Sequence, residues 1–211
     1  MAVRQEDVLA WLRALQQVYA ENRQELTDLD AAIGDADHGI NMDRGFTALA
    51  AQFAENAPAD IRSILHTAAE VLIRTVGGAA GPLYGTFFLR AAEACAGKPE
   101  LAADDVVALF QAGIEGVRQR GKAVPGDKTM LDALLPAMEA MRKSLDDGGA
   151  VAQILDQGAA AAKAGMRATI PMQARKGRAS YLGARSTGHQ DPGATSSYWM
   201  VRTAATSWQD K

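Results

Sequence analysis

The chain counts 211 residues, with 22 Lys and Arg against 25 Asp and Glu and a formal net charge of −3, a length that suits one domain over residues 1–211. That balance offers no basic face for nucleic acid, and no apolar run approaches the roughly 20 residues of a membrane span. Nearly half the residues are apolar (48%) and only 6% aromatic, and the abundant alanine and leucine favour helix over sheet.

Helical spacing recurs along the chain. Val8, Leu12, Leu15 and Val18 or Tyr19 share one stripe of the first segment. Arg4, Glu6, Asp7 and Arg13 interrupt that segment, so it is not read as a secretory signal. Ile61, Leu65, Ala68 and Leu72 form a second stripe that runs on to Val76. Gly81-Pro82 reads as the N-cap and first-turn proline of a helix carrying Leu83, Phe87 and Ala91. The single cysteine, Cys95, excludes an internal disulfide, fits a reducing cytoplasm, and among small and apolar neighbours reads as a packed thiol.

Asp104 is expected to cap a helix from near Asp105, with Val106 or Val107, Phe110, Ile114 and Val117 inward. Thr129 with Asp132 has the form of a capping box ahead of Leu131, Leu134, Met138, Met141 and Leu145, and Pro136 predicts a kink. Asp146-Asp147-Gly148-Gly149 reads as a stop and turn. Val151, Ile154 or Leu155, and Ala159 to Ala162 continue the pattern. About eight helices and no strand follow, an all-α fold whose stripes are core.

Four stretches resist the helical period: 34–46, 77–86, 120–129 and 175–196. They gather glycines, charge, and two of the three histidines. Breaks in local preference are where function is often lodged, and the last stretch is long for a mere connector.

Asp30, Asp35 and Asp37 follow a D-x4-D-x-D spacing, with Gly34 and Gly39 beside the last pair. Close carboxylates repel unless a cation sits among them. Oxygen donors suit Mg²⁺ or Ca²⁺, and with only His38 to supply nitrogen, zinc is a poor fit. A calcium loop counted from Asp35 would need glycine sixth and glutamate twelfth; Ile40 and Phe46 stand there. Magnesium is therefore the preferred ion. Three aspartates and a nucleotide diphosphate bring about six negative charges, of which two Mg²⁺ would cancel about four. The alternative is a solvated acidic turn ahead of a helix from Asn41.

Gly77-Gly78-Ala79-Ala80-Gly81 precedes the helix at Pro82. Either its N–H groups face a phosphate, helped by the helix dipole, or its small residues serve tight packing. It lacks the Gly-Lys-Ser/Thr of a Walker loop and follows no strand, as a dinucleotide fingerprint must. Arg175, Lys176, Arg178 and Arg185 cluster in the long loop, as a solvated face or as forks for phosphate oxygens, and Arg178 is the one selected. His38 and His189 are ligand contacts or hydrogen-bonded loop residues, and His66 is structural.

Together GDADHGINMDRGF, GGAAGPLYGTFFLRAA, RGKAVPGDKTMLDAL and QARKGRASYLGARSTGHQDPGATS resemble, in order and from near Trp11 to about Ser197, the L subunit of phosphotransferase-system-dependent dihydroxyacetone kinases. The resemblance implies an eight-helix barrel with ADP and two Mg²⁺ at one end. It implies that Asp30, Asp35 and Asp37 ligate the metals, and that His38, Gly39, Ile40 and Asn41 lie beside the nucleotide. Ala80 and Gly81 would cradle phosphate, Gly121 and Met130 would line the adenine slot, and Arg178 with Asp191, Pro192 and Gly193 would close the site. A serine is common in the family where Ala80 stands, so one hydroxyl contact is expected to be missing.

The same resemblance implies a cytoplasmic transferase subunit. A phosphohistidine protein of the phosphotransferase system would recharge bound ADP, and the ATP formed would phosphorylate dihydroxyacetone on a separate K subunit. Neither nucleic acid nor membrane is an expected partner; a transcriptional regulator and a second copy of the chain are. Two other readings stand beside it. One is a kinase domain with exchangeable ATP or another small ketose or polyol as acceptor. The other is a nucleotide-sensing regulatory module that catalyses nothing.

Overall fold

The computed structural model describes residues 2–56 and 58–211. The described residues form nine α-helices and one 3-10 segment joined by turns and loops, with no strand among them. The helices are α1 (Gln5–Glu21), α2 (Arg23–Ile33), α3 (His38–Glu55), α4 (Ile61–Thr75), α5 (Ala80–Ala94), α6 (Ala103–Gly121), α7 (Leu131–Asp146), α8 (Val151–Ala168) and α9 (Pro192–Ser207). A 3-10 segment, Arg178–Ser186, lies in the connection between α8 and α9.

The neighbours form a closed circuit. α1 packs on α3, α3 on α4, and so on in order to α9, which returns to α1. The eight expected helices are that ring; the ninth, α2, lies against α3, α9 and the 3-10 segment. Asn22 separates α1 from α2, a break without glycine or proline to announce it.

The stripes read from the sequence do face inward. Val8, Leu12, Leu15 and Tyr19 of α1, Ile61, Leu65, Ala68 and Leu72 of α4, and Phe110, Ile114 and Val117 of α6 are all buried. They join one cluster that runs from Val3 to Trp208. Trp11 sits centrally, its ring centroid 5.8 Å from Phe88, 5.9 Å from Phe110 and 5.2 Å from Trp208. Its Nε1–H donates to the Met200 carbonyl at 3.1 Å, so the indole brings no orphaned donor into the core.

Two helix ends differ in detail from expectation, and a third is close to it. α5 starts at Ala80 with Ala79 as N-cap, which puts Pro82 inside the first turn rather than directly after the cap. α6 starts at Ala103, and it is Asp105, not Asp104, whose carboxylate accepts from the Ala102 N–H at 3.1 Å. Geometry selects the third helical position for that reach. At α7 the Thr129 N–H donates to Asp132 at 2.7 Å and the Leu131 N–H to the Thr129 hydroxyl at 3.2 Å. The stop after Asp146 is as read, with Gly148 at φ +81°.

Pro136 lies inside α7. Its missing N–H leaves the Asp132 carbonyl without its intrahelical partner. Gly165 of α8 fits over that carbonyl, since a Cβ built there would stand 2.1 Å from the oxygen. Cys95 is buried, and burial pushes its thiol up to about 12, so the packed-thiol reading holds. No described helix is long and apolar enough to cross a membrane.

Candidate functional site

The acidic turn joins α2 to α3. Asp30, buried near the end of α2, accepts hydrogen bonds from the Asp37 N–H (2.9 Å) and the His38 N–H (3.2 Å) through one oxygen, Oδ2. It thereby satisfies donors at the start of α3, which the side chain of its own N-cap, Asp37, leaves open. Gly34 is required beside it: a Cβ there would stand 2.1 Å from Asp30 Oδ1. Ala36 then takes φ +61°, a left-handed position that costs a non-glycine residue on the order of 1–3 kcal/mol. The result folds Asp35 and Asp37 back on Asp30, with one oxygen of each carboxylate within 4.8 Å of the others.

Three carboxylates at that separation repel one another. The positive charge set against them by an ion pair is Arg178, whose Nη2 lies 3.1 Å from Asp35 Oδ2. Of the four basic residues in the long loop, Arg178 and Lys176 border the cleft beside this turn; Arg175 and Arg185 do not. The cleft encloses about 870 Å³, open solvent at its mouth included. The donor set is hard oxygen only, which fits a divalent ion such as Mg²⁺.

Opposite the turn lies the start of α5. Gly77, Gly78, Ala79 and Ala80 border the cleft, and no side chain caps the α5 N-terminus. Its first N–H groups are therefore open to an anion. Gly77 fits over Asn41, where a Cβ would meet Asn41 Oδ1 at 2.8 Å. Asn41 Oδ1 accepts from Arg44 Nη2 at 2.6 Å, which fixes its amide. Ile33, Leu83, Tyr84 and Met130 supply apolar surface, and Asp191, Pro192 and Gly193 close the far side.

Behind His38 runs a chain of hydroxyls. His38 Nε2 is 2.9 Å from Ser196 Oγ, which is 2.7 Å from the Tyr84 hydroxyl. Tyr19 donates to the Ser196 carbonyl at 2.9 Å. Burial lowers the His38 pKa, against the opposing pull of Asp30 and Asp37, so the ring is neutral at neutral pH. Asp191 caps α9, accepting from the Ala194 N–H at 2.6 Å. Burial raises its carboxyl to about 7, and Asp132 and Asp30 push the same way against Lys128 and the Ala194 bond.

Most residues singled out from the sequence meet here: Asp30, Asp35, Asp37, His38, Asn41, Ala80, Met130, Arg178 and Asp191 to Gly193. Others lie a step away. Gly39 packs on α2, where a Cβ would come within 2.0 Å of the Arg23 carbonyl, and Gly81 packs on the Val76 carbonyl. Gly121 faces Leu83 from the end of α6, and Ile40 is 39% exposed. His66 pairs with Glu70 on the surface of α4, and the His189 side chain is exposed. Sequence reasoning missed Lys128, Leu83, Tyr84 and Ser196. All four lie inside the non-helical stretches, and only Lys128 carries a charge that could have marked it there.

The DAK2 domain family model matches residues 32–206. The chain belongs to the DAK2 domain family. This DAK2 domain is 44% identical over 205 residues to the PEP-dependent dihydroxyacetone kinase ADP-binding subunit DhaL of Escherichia coli (strain K12), covering 97% of this chain and 98% of that protein. It is 37% identical over 201 residues to L-erythrulose 1-kinase of Mycolicibacterium smegmatis, covering 93% of this chain and 34% of the longer relative. The fold also matches the crystal structure of the dihydroxyacetone kinase from C. freundii in complex with AMP-PNP and Mg²⁺. There the TM-score is 0.71 at 24% identity, over 95% of this chain and 33% of that one.

Proposed function

We propose that this chain, acting as one domain over 1–211, is the nucleotide-binding subunit of a dihydroxyacetone kinase. In this reading bound ADP takes a phosphoryl group from a phosphohistidine protein of the phosphotransferase system and passes it to dihydroxyacetone on a K subunit. The observation that carries it is the trio Asp30, Asp35 and Asp37, drawn within 4.8 Å beside an uncapped α5 N-terminus and a loop arginine. The chain that holds this trio is alike over 97% of its length to an ADP-binding subunit.

Phosphoryl transfer asks a protein mainly for positioning and charge compensation. Asp30, Asp35 and Asp37 would hold two magnesium ions, which when bound neutralise the phosphate oxygens. The N–H groups at Ala79–Ala80 would receive a phosphate, and His38 and Asn41 would contact it from α3. Leu83 and Met130 offer the base an apolar slot, with Gly121 behind Leu83. Arg178, paired with Asp35, would exchange that carboxylate for a phosphoryl oxygen. In the first transfer the N–P bond of phosphohistidine breaks and a β-phosphate oxygen of ADP gains the phosphoryl group. In the second the γ-phosphoryl moves to a hydroxyl oxygen of dihydroxyacetone, whose proton leaves to the partner subunit.

A second reading, with ATP as an exchangeable donor and another ketose as acceptor, draws support from the likeness to L-erythrulose 1-kinase. Native mass spectrometry separates the two. Protein that keeps ADP and magnesium through gel filtration supports the first, and full exchange into added ATP within minutes supports the second. Dihydroxyacetone phosphorylation that proceeds unchanged when this chain is left out of a mixture with its K subunit would sink both.

A further inference from the structure

Lys128 is 1% exposed, which is unusual for a lysine without a carboxylate partner. Its ammonium shares three N–H donors among four backbone carbonyls: Thr169 at 2.9 Å, Met172 at 3.1 Å, Ser186 at 2.8 Å, and His189. Two of these lie at the start of the α8–α9 connection and two near its end, with Arg178 between them. Lys128 itself holds φ +62° to make the reach, and its neighbours Thr129 and Met130 border the cleft.

We propose that Lys128 is the positioning residue of the site, its ammonium drawing both ends of the α8–α9 connection into one cage and so setting where Arg178 stands. The inference rests on the nucleotide-binding reading above only for the consequence at Arg178. The other ties between the two ends are single bonds: Gly188 N–H to the Ile170 carbonyl at 2.8 Å, Ala174 N–H to Ser186 Oγ at 2.9 Å, and Asp191 N–H to Thr169 Oγ1 at 3.0 Å. The connection's apolar seat is Ile33, Ala174 and Ala179 with Leu182, separate from the main core. Arg178 is itself mostly exposed and meets one ion-pair partner, Asp35, so its position follows from its backbone. The donor must be charged. Four oxygens converge on one nitrogen, and a neutral amine would turn its lone pair on one of them. Burial lowers the lysine pKa and nearby Asp191 opposes that shift.

Removing the ammonium leaves up to four carbonyls short of a donor in a buried place. The test uses the full chain and Lys128→Met, which keeps most of the stem and loses the charge. The expected result is amide exchange protection lost across residues 169–190 and kept in α4–α6, with Mg·ADP affinity down by about tenfold or more. In Lys128→Ala, added methylammonium should restore part of that affinity together with the protection of 169–190. Protection of 169–190 and affinity both within about twofold of the parent overturn the proposal.

A second arm needs no variant. In the parent chain Lys128 should be acetylated far more slowly than Lys143, whose side chain is 78% exposed, and equal labelling overturns the cage. A parent chain that binds no Mg·ADP would remove the nucleotide reading while the exchange and labelling arms still judge Lys128.

Discussion

Asp30 and Asp35 are both carboxylates of one trio, yet they do different work. Asp30 receives two backbone N–H groups and is buried, whereas Asp35 meets only Arg178 at the cleft edge. Replacing Asp30 by alanine orphans donors at the start of α3 and should cost about 1–2 kcal/mol in metal-free thermal melts. Asp35→Ala relieves repulsion and should leave the metal-free melting temperature unchanged or higher. Both should lose Mg·ADP in calorimetry, with helicity by circular dichroism intact. Equal melting losses from the two would contradict this division of labour.

Asp191 gives the pH dependence. Its carboxyl sits at about 7 in the folded chain, above the unfolded value of about 3.9. Its contribution is therefore fully present below the unfolded pKa and lost as pH rises through 7. Between pH 8 and 6.5 the ligand-free protein should gain about 1 kcal/mol from this group, a rise of a few degrees in melting temperature. Asp191→Asn should flatten that rise. Below pH 6.5 His38 acts in the opposite sense, because its folded pKa is lowered by burial and the unfolded ring takes up a proton first. A melting temperature that falls steadily from pH 8 to 6.5 would count against the Asp191 assignment.

Among elements, the α7–α8 contact ties core packing to the site. Gly165 covers the carbonyl of Asp132, whose carboxylate in turn receives the Gly126 and Thr129 N–H groups at 2.6 and 2.7 Å. Gly165→Ala should separate the helices and cost about 1–3 kcal/mol in urea unfolding. It should also loosen Met130, which borders the cleft. Stability unchanged by that methyl would show the pair to be more compliant than its geometry implies.

Helix faces were readable because burial follows the 3.6-residue period, as Ile61, Leu65 and Leu72 illustrate. Helix ends were less so: Asp104 and Asp105 are equal candidates until the chain direction before Ala102 is known. The acidic trio was legible because three carboxylates so close in sequence repel one another, a repulsion that a cation relieves. Lys128 was not, because a lysine's depth is set by carbonyls some 40 to 60 residues further along. The long connection, too, proved structured around a 3-10 segment.

For the whole molecule the governing fact is closure of the ring by α1 against α9. Trp208 Nε1–H donates to the Asp7 carbonyl at 3.0 Å, and the Lys211 ammonium lies 3.3 Å from the Asp7 carboxylate. Both described ends of the chain therefore sit at one seam, away from the acidic turn. A circular permutant follows as a prediction. Linking Lys211 to the amino end through a short flexible tether and reopening the chain at Gly148-Gly149 should keep stability within about 2 kcal/mol and leave Mg·ADP binding intact. The domain is thus a cassette that another polypeptide can host by either end without disturbing its ligand-facing pole.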